Sequence, residues 1–250
     1  MLDGLTQKTH IALLIDCDNA SPAAIEGVLN ELAKYGVVNI RRAYGNWKNP
    51  LMRGWEEKLH EYAIKPIQQF SYTDGKNATD AAMIIDAMDL LYTQNLDAFG
   101  LVTSDSDFTP LVMRILTNGL KVYGFGERKT PLPFVNACSQ FIYTDGLVER
   151  DPARENGSSA ENVASKQSRT QLRCNTSLVN LLRKAAEAAA DEDGWAHLGR
   201  VGQHISNNTS FSPLNYGYNR LSDLIVASDL FEIKRGNKTQ IYIKDKRKIK

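Results

Sequence analysis

The sequence predicts an α/β fold with a mainly parallel sheet and helices on both of its faces, followed by a small C-terminal winged helix-turn-helix domain. Two observations lead to this prediction. Short β-rich segments alternate with helical patterns before residue 149, and three helical patterns then precede a pair of strands. Alternation of this kind is typical of βαβ units. At 250 residues the chain is long enough for two domains.

Six segments rich in β-branched and aromatic residues are expected to form the sheet. They are residues 10–15, 37–44, 63–70, 99–103, 121–125 and 140–143. Ser21 and Thr109 each place a capping hydroxyl before a proline, and Gly36 and Gly119 follow the corresponding helix ends. These signals predict that a helix begins at each of the two Ser/Thr-Pro pairs.

Residues 149–170 are expected to form a flexible linker. They contain few large apolar side chains and many Ser, Asn, Glu and Ala residues, so they cannot supply a hydrophobic core. The predicted domains are therefore 1–148 and 171–250.

In the second domain, helices are expected over 177–190, 197–205 and 218–227. Strands are expected over 230–234 and 240–244, joined by a Gly-Asn turn. Three helices followed by a hairpin predict a winged helix-turn-helix.

Composition excludes several classes of protein. The longest apolar runs, such as 11–15 and 81–85, are too short to cross a bilayer, so no membrane partner is expected. Three cysteines without a Cys-x-x-Cys pair argue against a disulfide framework and a structural zinc site. We therefore expect a cytoplasmic protein.

Charge is divided unevenly along the chain. Residues 1–150 hold 14 Lys and Arg against 18 Asp and Glu, a net charge of −4, and residues 151–250 hold 16 against 11, a net charge of +5. The basic part is suited to gather a polyanion, although chance and the basic tail 244–250 explain the excess equally well.

Two pairs of aspartates follow predicted strands. Asp16 and Asp18 stand after the first strand in IALLIDCDNASP, and Asp105 and Asp107 stand after the fourth in FGLVTSDSDFTP. Because ligands bind at the carboxyl ends of strands in open parallel sheets, the pairs converge if the two strands are neighbours. Each pair can also simply cap the next helix.

A fifth aspartate, Asp80, lies in the first turn of a predicted helix over 79–92. With about 100° per residue it falls on the apolar stripe with Met83 and Ile84, whereas Asp86 and Asp89 fall on the other side and are expected to be surface charges. A buried carboxylate costs several kcal/mol unless it is paired or bound to a metal. The helix dipole offers a partial alternative.

Carboxylates from three segments, with no obvious Lys or Arg set nearby in sequence, predict a divalent cation. Oxygen ligands without His or Cys favour Mg²⁺ or Mn²⁺, which can activate water for phosphodiester displacement. Asn19 would support the ligand network or contact the scissile phosphate, or belong only to the turn. The predicted catalytic residues are Asp16, Asn19, Asp80, Asp105 and Asp107, the four aspartates being the metal ligands.

Further basic residues of the first domain are candidates for RNA contacts. Lys76, shortly before Asp80, could bind a phosphate. A basic and aromatic stretch after the second strand could stack and hold single-stranded RNA. It consists of Arg41, Arg42, Tyr44, Trp47 and Lys48. An ordinary surface loop and strand edge explain all of these residues as well.

The first 148 residues resemble the NYN domain of the LabA-like group in the PIN-like nuclease superfamily. The resemblance rests on LLIDCDNAS, YTDGKNATDAAMIIDAMDLL, LVTSDSDFTPLVMRI and KVYGFGERKTPLPFVNACSQFIY. It implies a metal-dependent ribonuclease whose acidic positions fall on Asp16, Asp80 and Asp105, with Asp107 as the fourth and Asp18 outside this set.

Residues 173–244 resemble the OST-HTH or LOTUS domain in DGWAHLGRVGQHI, FSPLNYGYNRLSDLI and FEIKRGNKTQIYIK. The resemblance implies an RNA-binding module. The start of the third helix would face RNA and the wing would hold phosphates, although a tyrosine could instead pack between helix and wing. The residues concerned are Tyr216, Tyr218, Asn219 and Arg220 on the helix and Lys234, Arg235 and Lys238 on the wing.

Two other functions remain open. Asp16-Cys-Asp18-Asn-Ala20 approaches the Asp-x-Asp nucleophile motif of aspartyl-phosphate phosphatases, but Ala20 departs from its fifth position. A non-catalytic RNA-binding regulator would keep the fold without turnover. The sequence leaves open single-stranded or structured RNA, endonuclease or exonuclease action, and homo-oligomerisation.

Overall fold

The structure, a computed structural model, describes residues 8–69, 78–148, 166–236 and 240–248. The chain divides into two compact units, Met1–Ser159 and Ala160–Lys250. Within the described ranges, no helix has the length and apolar character needed to cross a membrane. Most of the predicted linker lies outside the described residues.

Six strands form the sheet of the N-terminal unit. They are β1 (His10–Asp16), β2 (Val37–Gly45), β3 (Lys65–Gln68), β4 (Ala98–Val102), β5 (Lys121–Gly126) and β6 (Gln140–Tyr143). Every neighbouring pair is parallel, and the spatial order is β3-β2-β1-β4-β5-β6. The predicted mainly parallel α/β fold is confirmed.

Helices cover both faces of this sheet. They are α1 (Ile25–Leu32), α2 (Arg53–Glu61), α3 (Ala78–Thr93), α4 (Thr109–Thr117) and α5 (Leu132–Ala137). Leu14 and Leu101 share a buried core with residues of α3, α4 and α5. Gly100 faces α1 on the other side, where a Cβ would lie 2.9 Å from a Leu32 methyl group, so α1 packs closely on the sheet at this position.

Of the two predicted helix caps, one is confirmed and one is wrong. Ser21 caps a short 3-10 turn before α1 and accepts a hydrogen bond from the Ala23 backbone N–H at 3.4 Å. Thr109, however, is already the first residue of α4, and its hydroxyl donates to the Ser106 carbonyl at 2.6 Å. A 3-10 turn precedes α4, and Asp105 caps that turn.

The strand order reverses between β1 and β4, which are hydrogen-bonded neighbours. Ile15 pairs with Val102, so the next residues along each strand, Asp16 and Thr103, lie at the same edge. In open α/β sheets the crevice at such a reversal is the usual ligand site. Since α3 follows β3, its first turn starts at this carboxyl edge as well.

The C-terminal unit contains four helices and a small antiparallel sheet among the described residues. They are α6 (Arg169–Cys174), α7 (Thr176–Ala188), α8 (Leu198–Asn208), α9 (Leu221–Ser228), β7 (Ala196–His197), β8 (Phe231–Arg235) and β9 (Ile241–Asp245). The strand order is β7-β9-β8. The three predicted helices and the hairpin are present, whereas the second residue of the predicted Gly-Asn turn lies outside the described residues.

Two elements of this unit were not predicted. Helix α6 begins inside the predicted linker, because Ser168 and Gln171 form a reciprocal capping box that starts a helix there. Strand β7 includes His197, so α8 begins one residue later than expected. The apolar side chains of α6 to α9 and β9 form one core, which includes Leu172, Leu182 and Ile243.

Candidate active site

Asp16, the last residue of β1, is a fully buried carboxylate at the centre of the candidate site. Its Oδ2 accepts hydrogen bonds from Thr103 Oγ1 at 2.7 Å and from Asn19 Nδ2 at 2.9 Å. Among the described residues, its Oδ1 accepts one longer bond, from the Asp18 backbone N–H at 3.2 Å. Burial raises the pKa of Asp16 above its usual value, although these donors counteract the shift. The bonds fix the orientation of the carboxylate and leave Oδ1 with acceptor capacity.

Thr103 is a residue of this site that the sequence analysis missed. It is fully buried directly after β4. Its hydroxyl donates to Asp16 and accepts the Asp105 backbone N–H at 3.1 Å, so it joins the ends of both acidic strands. The signal in the sequence was Thr103 itself. A polar residue stands directly after a buried strand, where an apolar residue could have stood, and the Ser-Asp pair follows it.

Asp80, in the first turn of α3, lies close enough to the strand ends to be influenced electrostatically by their carboxylates. Its pKa is raised to about 6, first by burial and then by the charges of Asp16, Asp105, Asp18 and Asp107. Met83 on the same helix is fully buried, which supports the predicted inward orientation. Three separate segments thus bring negative charge to one edge of the sheet.

The remaining acids stand at the more accessible part of this edge. Asp105 is half-buried and accepts the Asp107 backbone N–H at 2.8 Å, while Asp107 is exposed. Asp18 and Asn19 are also exposed. Asp105 therefore does cap a turn, as the simpler interpretation held, and it also contributes to the negative potential at Asp80.

These side chains offer the donor set of a hard divalent cation. Within the part of the chain that the structure describes, no three His, Cys, Asp or Glu side chains are placed to hold a metal ion together. Mg²⁺, however, commonly takes one or two protein carboxylates and retains several waters, so it does not require a complete protein cage. A cation would also offset the repulsion that raises the pKa of Asp80. The oxygen donors at this edge are therefore of the chemical type that binds a hard divalent cation.

The prediction that Asp86 is a surface charge is wrong. Asp86 is half-buried, forms an ion pair with Arg42 and accepts a hydrogen bond from the Tyr44 hydroxyl. The helical projection missed this because it considers α3 alone, whereas β2 packs alongside α3 and supplies both partners. Asp89, in contrast, is exposed as expected.

The basic and aromatic stretch of β2 is largely engaged within the protein. Tyr44 is fully buried, so the expectation that it could stack on RNA is wrong. Arg41 donates to the Tyr62 carbonyl at 2.7 Å, and Arg42 is held by Asp86. Trp47 donates through Nε1 to the Ile67 carbonyl at 3.0 Å. These contacts do not favour RNA binding by the two arginines.

Of the two other lysines predicted to contact RNA in the first domain, the structure describes one. Lys48 is exposed in the turn after β2, and its RNA contact stays a prediction. Lys76 lies outside the described residues.

In the C-terminal unit, the prediction that Tyr218 faces RNA is wrong. It is only 7% exposed, belongs to the domain core, and donates through its hydroxyl to the Gln167 carbonyl at 2.7 Å. Helix α9 starts at Leu221, so Tyr218 lies in the preceding turn, where Gly217 adopts a φ of 80°. Tyr218 therefore packs inside the domain, as the alternative interpretation of the tyrosines held.

The other residues predicted to contact RNA remain closer to the surface. Tyr216 is half-buried and stacks on Phe211 with ring centroids 5.8 Å apart. Asn219 and Arg220 are exposed just before α9. Their contact with RNA stays a prediction.

On the wing, Lys234 and Arg235 are exposed on β8, whereas Lys238 lies outside the described residues. Lys234 extends over the ring of Trp195, with Nζ 5.8 Å from the ring centroid. The wing lysine is thus part of a wider aromatic surface that the sequence analysis did not identify.

The NYN domain family matches residues 10–147, and the OST-HTH/LOTUS domain family matches residues 173–243. An uncharacterized protein of Methanocaldococcus jannaschii is 30% identical over 140 residues, which cover 50% of this chain and 55% of the relative. The chain thus spans about half the length of that curated relative.

Two solved structures are also similar. A protein of unknown function from Vibrio parahaemolyticus aligns with a TM-score of 0.45 and 23% identity, covering 55% of this chain and 94% of that one. An uncharacterized protein from Nitrosomonas europaea aligns with a TM-score of 0.27 and 25% identity, covering 39% and 92%. Since the NYN match alone spans more than half of the chain, the protein belongs to the NYN domain family and carries an OST-HTH/LOTUS domain at its C-terminal side.

Proposed function

We propose that the protein is a metal-dependent ribonuclease that hydrolyses RNA phosphodiester bonds at the carboxyl edge of β1 and β4. The observation that carries the proposal is the junction of the two acidic strand ends, where the Thr103 hydroxyl donates to the buried Asp16 and accepts the Asp105 backbone N–H. Burial and the charges of four carboxylates also raise the pKa of Asp80 to about 6. Such a concentration of like charge is costly without a cation. Membership of the NYN family, which belongs to the PIN-like nuclease superfamily, supports a nuclease.

The proposed metal ligands are Asp16, Asp80, Asp105 and Asp107. A Mg²⁺ or Mn²⁺ ion held there would lower the pKa of a bound water and offset charge on the scissile phosphate. Asn19 and Thr103 act on Asp16, because both donate to its Oδ2 and so fix the direction of Oδ1.

The OST-HTH/LOTUS domain supports RNA as the substrate, and we assign RNA recruitment to the C-terminal unit. The net charge of +5 on residues 151–250 agrees with binding to a polyanion. A cytoplasmic location agrees with three cysteines that are free in the described structure.

The aspartyl-phosphate alternative is less well supported, because Ala20 stands at the fifth position of its Asp-x-Asp motif. The family that matches residues 10–147 is instead the NYN domain family.

The test is cleavage of end-labelled single-stranded and structured RNAs in Mn²⁺, Mg²⁺ or EDTA. We expect cleavage by the wild type in metal only, and a loss of at least about 1000-fold in Asp16→Asn, since several kcal/mol of charge stabilisation depend on the site. Asp89→Asn is the matched control, because Asp89 is an exposed aspartate on α3 outside the acidic edge.

Three results would decide the proposal. Metal-dependent cleavage that Asp16→Asn loses and Asp89→Asn keeps supports the ribonuclease. Binding of RNA by both proteins without cleavage in any metal supports the non-catalytic regulator instead. Equal cleavage by the wild type and Asp16→Asn would place the chemistry elsewhere.

A further inference from the structure

The sheet of the C-terminal unit has one face in the core and one face turned outward. Ala196 pairs with Ile243, and both are buried in the domain core. The next row pairs His197 with Tyr242 and Tyr242 with Lys234. Because side chains alternate along a strand, this row lies on the opposite face from the core.

This outer face combines aromatic rings with cations. The rings of His197 and Tyr242 meet edge to face with centroids 5.3 Å apart. Trp195, which precedes β7, has two lysine ammonium groups over its ring, Lys234 at 5.8 Å and Lys244 at 6.0 Å from the centroid. Trp195 and Tyr242 are both half-buried.

The surface is concave. Its cleft is lined mainly by Asp191, Trp195, His197, Arg200, Gln240 and Tyr242. Asp191 uses Oδ1 to accept the Trp195 backbone N–H at 2.7 Å, which fixes the loop that carries the indole. The tryptophan is thereby positioned at the side of the cleft by the fold itself.

The cations of this face lie beside its aromatic rings. They are Arg200 in the cleft and Lys234 and Lys244 over the indole. Carboxylates are also present, namely Asp191, Glu192 and Asp193 in the turn before Trp195 and Glu232 opposite Lys244. The position of the lysines at the indole, and not the net charge of the face, therefore favours an anion. Bases and phosphates of a nucleic acid provide the groups complementary to the rings and to the lysines.

We propose that this outer face, centred on Trp195 and Tyr242, is the RNA-binding surface of the C-terminal unit and stacks unpaired bases of single-stranded RNA. The proposal rests on the proposed function, in which this unit recruits RNA. Bases stack on Trp195 and Tyr242, while Lys234, Lys244 and Arg200 hold the phosphates. Because a duplex buries the faces of its bases in its own stack, only single-stranded segments supply the matching surface.

The main test needs no variant. The full chain in EDTA, where metal-dependent cleavage is prevented, is titrated with oligouridine of about twelve nucleotides and with an abasic ribose-phosphate oligomer of equal length. Stacking predicts that the base-containing oligomer binds at least about tenfold more tightly and quenches indole fluorescence. Equal affinities would overturn the stacking proposal.

Variants then locate the surface. Trp195→Ala should weaken oligouridine binding about tenfold and abolish the quenching, whereas Trp195→Phe keeps most of the affinity because a phenyl ring also stacks. Lys244→Ala should reduce the slope of log affinity against log salt concentration by about one, as expected for the loss of one phosphate contact. The matched Lys184→Ala on α7 should leave this slope unchanged. Lys184 is an exposed lysine outside this face.

Failure of this proposal can be told apart from failure of the proposed function. If the wild type binds and cleaves RNA but Trp195→Ala binds as tightly as the wild type, the surface is wrong and the ribonuclease stands. If a duplex binds as well as oligouridine, the single-strand preference is wrong. If the wild type binds no RNA, recruitment by this unit and the present proposal both fail, while cleavage still reports on the acidic edge.

Discussion

In the proposed function, the acidic edge of the N-terminal sheet and the outer face of the C-terminal sheet would meet a phosphate chain in two opposite ways. At the acidic edge, burial and then the charges of neighbouring carboxylates raise the pKa of Asp80 to about 6. On the outer face, Lys234 and Lys244 lie over the ring of Trp195. Neighbouring carboxylates favour the binding of a cation, whereas lysines beside aromatic rings favour an anion that also has stacking faces.

This difference suggests that chemistry and recruitment are separated in the molecule. In the proposed function, a negative site repels RNA until it holds a cation, so its own affinity for RNA would be low. The second, basic unit on the same chain would compensate by raising the local concentration of RNA. The charges of −4 and +5 on the two parts of the sequence correspond to this division.

The largest expected effect tests whether the acidic edge depends on the hydroxyl of Thr103. Thr103→Val keeps the shape but removes the hydroxyl that donates to Asp16 and accepts from the Asp105 N–H. We expect metal-dependent cleavage to fall about 10- to 100-fold, as for the loss of other groups that orient metal ligands. Steady-state kinetics with a titration of Mn²⁺ measures this, and the metal concentration for half-maximal activity should rise.

Thr103→Ser is the conservative control, because a serine hydroxyl can make the same two hydrogen bonds. It should retain activity within about threefold, with a small loss of stability from the missing methyl group. If Thr103→Val cleaves as well as the wild type, Asp16 does not depend on this hydroxyl for its orientation.

A smaller effect is expected when the basic unit is removed. The chain truncated after Ser159, where the N-terminal unit ends, should have a KM for RNA raised about tenfold or more and a kcat changed less than about threefold. The physical reason is that recruitment changes how often RNA reaches the site, whereas the carboxylates change the rate at which the bound phosphodiester is cleaved. A truncated protein with unchanged KM would show that the C-terminal unit does not recruit RNA for the N-terminal unit.

The fold could be predicted from local patterns because each signal is contained within one element. The six strands were found since their β-rich runs are short and separated by helical patterns, and the acidic pairs converged once β1 and β4 proved to be neighbours. Asp80 was identified because its helix has a regular apolar stripe. Periodicity thus predicted both the sheet and the end of it that carries the acids.

The failures at candidate functional side chains involve partners that are distant in sequence. Asp86 meets Arg42 and Tyr44 from another strand, and Tyr218 meets Gln167 across 51 positions. The face around Trp195 also escaped prediction, because three strands contribute to it and only their register shows that the rings lie together. One-dimensional patterns hold no information on such pairing before the sheet order is known.

The smallest effect is on stability. Asp80 has a pKa near its usual value of 3.8 when unfolded and about 6 when folded, so its ionisation opposes folding. The folded state binds the proton of the Asp80 carboxyl more tightly than the unfolded state does. The resulting stabilisation is fully present below about pH 3.8 and is lost as the pH rises through 6. Asp80→Asn should therefore stabilise the metal-free protein at pH 7 to 8. A shift of this size corresponds to about 3 kcal/mol, but Asp80 is partly exposed and water screens its interactions, so we expect about 1 kcal/mol.

Thermal unfolding in EDTA measures this gain, and Asp89→Asn on the same helix should change stability by less than about 0.5 kcal/mol. At saturating Mn²⁺ the order should reverse, because the wild type gains the free energy of metal binding and Asp80→Asn has lost a proposed ligand. The same substitution would then stabilise the empty protein and impair the loaded one. If Asp80→Asn destabilises the protein in EDTA as well, the carboxylate serves the fold through hydrogen bonds, and the acidic edge does not store the repulsion that a cation would relieve.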